Sequence, residues 1–140
     1  MALEVPPASS SAVHNVMIAN RSTNTGPEQV VRGMLREAGL AGYRLHWRID
    51  DEKGRYICRP DITYPGRRIA IFVHGCFWHR CARCALDLPK SNVEYWSKKF
   101  ERNVERDRRK EEELLGMGWA VHTIWECDLG QGTSTLIDAL

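Results

Sequence analysis

The chain has 140 residues, 43% of them hydrophobic, which is enough for one compact core and too little for a second autonomous one. Its 20 basic residues are nearly balanced by 18 acidic ones, so a formal charge of +2 does not by itself argue for a nucleic-acid partner, and any basic surface must come from segregation. No apolar run approaches the roughly 20 residues of a membrane span, and the start of the chain lacks the order of a secretion signal, so a cytoplasmic protein is expected.

Residues 1–24 are rich in Ser, Ala, Asn and Pro without a sustained apolar period, which predicts a flexible arm and leaves 25–140 as the folded domain. From Thr25 the order Thr-Gly-Pro-Glu has capping-box spacing with proline in the first turn, and Val30, Val31, Met34, Leu35 and Ala38 recur on one helical face as far as Gly39. Residues 43–49, 55–58, 62–64 and 67–73 are short β-prone runs divided by Asp-Asp, Lys-Gly and Pro-Gly turn signals. Residues 75–88 hold three cysteines and two consecutive aromatics with almost no periodicity, which predicts a loop ordered by metal. Ser91-Asn-Val-Glu94 has the spacing of a second capping box and opens a long helix to about residue 115. Gly118 then precedes a strand over 119–126, and a short helix is predicted from Thr133. This order points to an α/β fold, a mixed β-sheet flanked by helices.

The long helix carries Lys98, Lys99, Arg102, Arg106, Arg108, Arg109 and Lys110, a pattern that fits both a solvated face with i,i+4 pairs and a DNA-facing surface. At about 100° per residue, Asp107 shares a stripe with Trp96, Phe100, Asn103 and Leu114, which places a carboxylate on the inward face, where it needs a partner. Cys76, Cys81 and Cys84 are spaced C-x4-C-x2-C, and Cys127 follows the last predicted strand. In a reducing compartment such thiols hold metal more often than they form disulfides. Four thiolates close a tetrahedral Zn2+ site with no position left for substrate, so the zinc would be structural. Cys58 reads as an ordinary strand residue. Pro60-Asp61 on its own fits a turn, Glu28 fits a helix cap, and His74 and His79, flanking the cysteine loop, suggest acid–base chemistry.

Val73-His-Gly-Cys-Phe-Trp-His79, Leu88-Pro-Lys-Ser-Asn92, Tyr95-Trp96, Asn103-Val-Glu-Arg-Asp107, Gly118-Trp119 and Trp125-Glu-Cys127 resemble the very-short-patch repair (Vsr) DNA mismatch endonuclease family over roughly residues 17–129, most strongly from Arg59 onward. The resemblance implies a restriction-endonuclease-like fold of the PD-(D/E)XK superfamily. It implies Mg2+ held by Asp61 and the main chain of Val73, with Glu28 close by, and acid–base work by His74 and His79, the latter supported by Asp107. Phe77 and Trp78 would wedge into the base stack while Met17 enters from the other groove. The implied substrate is double-stranded DNA with a T:G mismatch, nicked 5′ to the thymine by a monomer in a bacterial cytoplasm, with a repair polymerase and ligase acting afterwards. Three departures stand out. Cys81 occupies the place of the family's usual histidine, Cys84 lies one residue farther on than the family's next cysteine, and Val73 replaces a usual threonine. As in the family, His74 stands where the wider superfamily carries its lysine. A restriction-type nuclease of this fold acting on matched DNA, and a non-catalytic zinc-stabilised DNA-binding module, remain open; Asp61, His74, His79 and Asp107 together speak against the second.

Overall fold

The computed structural model describes residues 25–140; Met17 and the rest of the predicted arm lie outside them. Helix α1, Gly26–Glu37, begins where Thr25 Oγ1 accepts the Glu28 N–H at 3.3 Å. It ends in a left-handed Gly39 (φ 79°), with Gly39 N–H donating to the Arg36 carbonyl and Leu40 N–H to the Leu35 carbonyl, a Schellman closure that glycine makes without steric cost. Strands β1 (Arg44–Leu45), β4 (Ile62–Tyr64), β5 (Ile69–His74) and β6 (Ala120–Trp125) form one mixed sheet in the order β1-β4-β5-β6. The first two pairings are antiparallel, and β5 runs parallel to β6 from Ile69↔Ala120 to His74↔Trp125. Strands β2 (Ile49–Asp50) and β3 (Tyr56–Cys58) make a separate hairpin, its turn closed by Asp51 Oδ1 accepting the Lys53 and Arg55 N–H groups.

Parallel β5 and β6 need a crossover, and α2, Val93–Gly116, supplies it. The alternation along β5 then decides what faces what. Ile71 and Val73 point with Ile62, Tyr64 and Ile124 towards α1 and α3 (Leu129–Ala139), where Val31, Leu35 and Leu136 complete the larger core. Ala70 and Phe72 point the other way and pack with Cys58, Leu114 and Val121 beneath α2. His74 continues this second set, so the histidine lies on the α2 face at the carboxyl end of the parallel strands, where open α/β sheets place their ligands. No helix among the described residues is long and apolar enough to cross a membrane.

The mixed sheet and its flanking helices are as expected, but several boundaries differ. The strand predicted over 43–49 is two, because His46 adopts φ 51° and turns the chain out of the main sheet. The run 67–73 begins instead with a 3-10 turn, Pro65–Arg67, followed by left-handed Arg68 (φ 54°), and the strand proper extends to His74. The second capping box does not form. Asn92, not Ser91, caps α2 in a left-handed conformation (φ 57°) and without a side-chain hydrogen bond, a backbone state that asparagine tolerates better than serine. The last helix starts at Leu129 rather than Thr133, because Leu129, Thr133, Leu136, Ile137 and Leu140 form one stripe against the core that Gly130 and Gly132 obscure in the sequence.

Candidate active site

Asp61 immediately precedes β4, and its Oδ2 accepts the Val73 N–H at 2.7 Å, beyond the last paired residues Ile62 and Ile71 of β4 and β5. The carboxylate therefore ends the ladder and is fixed by it. Burial raises its pKa to about 7, with the Val73 N–H opposing and the hydrogen-bonded, like-charged Glu28 adding to the rise. Glu28 itself is 2% exposed. Only half of its predicted capping box forms. Its N–H reaches Thr25, but its carboxylate turns inward to Arg32 Nη2 at 3.0 Å and lies 3.9 Å from His46 Nε2. Two buried carboxylates sharing one hydrogen bond form an oxygen-rich, electron-rich pocket that suits a hard divalent cation.

His74 and His79 stack face to face, ring centroids 3.8 Å apart and planes 5° from parallel, with Trp125 edge-on to His74 at 5.1 Å. His74 is 8% exposed, and burial, with the neighbouring His79, lowers its pKa to about 4, so it stays neutral. His79 Nδ1 meets Asp107 Oδ2 at 2.5 Å. Burial alone would raise the Asp107 pKa, but the hydrogen bond and charge of His79, helped by His74 and Lys110, turn the net shift downwards. With the Nδ1 proton donated to a carboxylate, Nε2 keeps its lone pair and the ring is poised to take a proton. The helix stripe read from the sequence thus delivers Asp107 to its partner.

The loop after β5 places His79. Cys76, Cys81, Cys84 and Cys127 bring their sulfurs within 4.8 Å of one another, and Cys81 Sγ lies 3.8 Å from Cys127 Sγ. A tetrahedral ion with metal–sulfur bonds of about 2.3 Å would set the sulfurs about 3.8 Å apart, so the four thiols fit one. Cys58 stands apart, fully buried under Leu114 as an ordinary strand residue. Asn103 Nδ2 donates to the Trp78 carbonyl at 3.2 Å, and Arg80 donates to the Phe77 and Leu86 carbonyls while its guanidinium lies 4.4 Å above the Phe100 ring. The loop is therefore tied to α2 on the side away from the cysteines.

Glu28, Asp61, Val73, His74, Trp78, His79 and Asp107 all line one cleft of about 580 Å³. Phe77 does not line it. Its ring packs against Trp78, Trp96 and Phe100 at centroid distances of 5.3, 6.1 and 5.1 Å, forming the base on which Trp78 rests. Met17 lies outside the described residues. Arg32 and His46, which hold Glu28, are not among the residues singled out from the sequence, and Lys110, expected only as part of a basic run, lines the cleft half-buried. Arg32 was legible as the i+4 partner of Glu28, and Lys110 as the next inward position after Asp107; nothing local marks His46.

A mixed sheet that gathers two carboxylates and a His-Asp pair in an open cleft at its strand ends defines a nuclease-like α/β protein. The family described as DNA mismatch endonuclease Vsr matches residues 8–85, and the chain belongs to this family of DNA endonucleases. Among its relatives, the type II nicking enzyme V.XorIIP of Xanthomonas oryzae pv. oryzae is 47% identical over 109 residues, 78% of this chain and 75% of the relative. The type II nicking enzyme V.NaeI of Lentzea aerocolonigenes is 38% identical over 125 residues, 89% and 74% of the two chains. The DNA mismatch endonuclease Vsr of Escherichia coli K12 is 39% identical over 99 residues, 71% of this chain and 62% of that protein.

Proposed function

We propose that the chain is a strand-specific mismatch endonuclease that hydrolyses the phosphodiester 5′ to the thymine of a T:G pair in double-stranded DNA, starting a repair that a polymerase and ligase complete. The observation that carries the reading is the His79–Asp107 pair at 2.5 Å in the same cleft as the Asp61–Glu28 carboxylates. In this reading Asp61, with the main chain of Val73 and Glu28 nearby, holds Mg2+, which when bound polarises the scissile phosphate. His79 Nε2 takes the proton of the attacking water while Asp107 stabilises the imidazolium that results. His74, neutral and stacked on His79, fixes the plane of that ring. The new P–O bond forms in line as the bond to the 3′-oxygen breaks and that oxygen takes a proton from water in the open cleft, leaving a 5′-phosphate and a 3′-hydroxyl. The four cysteines hold Zn2+ structurally and so keep His79 in place.

Trp78, presented to the cleft, stacks beside the mismatch on its Phe77 base, and Met17 of the predicted arm enters from the opposite groove. A wobble pair stacks less well than a normal one, so opening it costs less, by at most a few kcal/mol. The folded domain spans 25–140 and acts as a monomer in the bacterial cytoplasm. One active site cuts one strand. The restriction-endonuclease-like core is the scaffold on which these groups meet.

The test is nicking of an end-labelled duplex carrying one T:G mismatch, with Mg2+, against the matched duplex and Asp61→Ala. A single nick 5′ to the thymine, lost in the variant, is expected. The similarity to the type II nicking enzymes V.XorIIP and V.NaeI supports nicking without specifying a mismatch; a second reading is therefore a nuclease of this fold acting on matched DNA, and equal cutting of both duplexes would establish it instead.

A further inference from the structure

The basic residues of α2 do not all serve the same end. Lys98 and Arg108 face outwards and pair with carboxylates of their own helix, Lys98 with Glu94 at 3.1 Å and Arg108 with Glu105 and Glu112 at 2.5 and 2.6 Å. Lys110 is placed differently. It is half-buried, three residues beyond Asp107 on the inward side of the helix, and makes no ion pair of 4 Å or less with any described residue. Helix α2 crosses the sheet so that a cavity opens on either side of it, the 580 Å³ cleft and a second space of about 480 Å³ against β6, floored by Val121 and Thr123. Lys110 lines both, as do His74, His79 and Asp107. With no carboxylate within 4 Å among the described residues, its ammonium is placed to meet an anion that enters either space.

We infer that Lys110 is a further phosphate-binding residue of this site, its ammonium contacting the scissile phosphodiester and offsetting the negative charge that grows on it during attack. The inference rests on the endonuclease reading above. A donor fixed before the reaction is worth most where charge develops in a site shielded from water.

The experiment measures single-turnover nicking of the T:G duplex with Mg2+, and affinity for the same duplex with Ca2+ in place of Mg2+, for the full chain and for Lys110→Met, Lys110→Arg and Lys98→Gln. Lys110→Met is expected to slow the nicking step by about 100-fold or more, as loss of one transition-state donor does. Its affinity should change by less than about 3-fold, Lys110→Arg should recover to within about 10-fold, and Lys98→Gln should match the wild type. Nicking by Lys110→Met within about 3-fold of wild type, or a loss confined to affinity, would overturn the inference. So would Lys110→Arg being as slow as Lys110→Met, or a melting temperature lowered by more than about 10 °C, which would make the ammonium a support of the fold. A wild type that nicks no duplex overturns the endonuclease reading itself; an active wild type with an equally active Lys110→Met overturns this inference alone.

Discussion

Replacing Asp107 by Asn keeps the shape of the His79 contact and removes its charge. The two side chains are 28% and 23% exposed and meet at 2.5 Å, so the pair is shielded from bulk water but not sealed from it. With an effective dielectric constant near 20 and about 4 Å between charge centres, the carboxylate stabilises a His79 imidazolium by about 4 kcal/mol. At about 1.4 kcal/mol per tenfold, its loss should slow the proton-transfer step by roughly three orders of magnitude. The amide can also turn its NH2 towards Nδ1 and force the proton onto Nε2, which removes the acceptor lone pair and acts in the same direction. The assay is single-turnover nicking at saturating protein, with thermal melting to show that the fold persists. A rate for Asp107→Asn within about tenfold of wild type would refute the view that this carboxylate orients and charges His79.

On the proposed zinc assignment, Cys127→Ser should lower bound zinc from one per chain to a small fraction, measurable by metal analysis, and increase hydrogen exchange in residues 75–88, since structural zinc contributes its binding free energy directly to folding. Asp61 gives a pH prediction for the magnesium-free protein. Its pKa is about 7 when folded against an ordinary 3.8, so between those values the folded chain holds a proton that the unfolded chain has released, and stability falls as pH rises through that window. Asp61→Asn should therefore be more stable than wild type by about 1–3 kcal/mol at about pH 8 and nearly equal at about pH 4; a stability difference between the two proteins that does not grow between these pH values would count against it. Gly118→Ala should cost about 1 kcal/mol or more, because Gly118 has φ 86° in the turn from α2 to β6, and urea titration reads this directly. Tyr64→Phe should cost about 1 kcal/mol by the same measurement, since the hydroxyl donates to the Leu40 carbonyl at 2.7 Å.

What the sequence disclosed was what short-range periodicity and capping control. Thr25, Gly39 and Gly118 mark helix ends by backbone rules that act within a turn, and each sits where those rules put it. The period of α2 aimed Asp107 inward, and the cysteine spacing foretold a cluster that the fold assembles. Features that depend on tertiary pairing were hidden. The break at His46 follows from the chain leaving one sheet for a separate hairpin, and the early start of α3 from apolar contacts with α1. The capping role foreseen for Glu28 was half complete, because a buried carboxylate beside Asp61 outcompetes a solvent-exposed cap. Lys110 was read as part of a charge run, since a stripe of sequence does not say that a cavity lies on either side of it.

The contacts that make the site join parts of the chain far apart in sequence: 12 residues for Asp61 to Val73, 28 for His79 to Asp107 and 46 for Cys81 to Cys127. The first can form within the β4–β5 hairpin, but the other two cannot form inside any single helix or hairpin, so catalytic competence depends on contacts of high sequence separation. A nascent or partly unfolded chain that keeps α1 and the β4–β5 pair has no assembled centre, and the ability to break a DNA strand arrives only when β6 docks beside β5. Folding thus acts as the safety catch of a DNA endonuclease, and opening of the cysteine loop resets it by releasing His79.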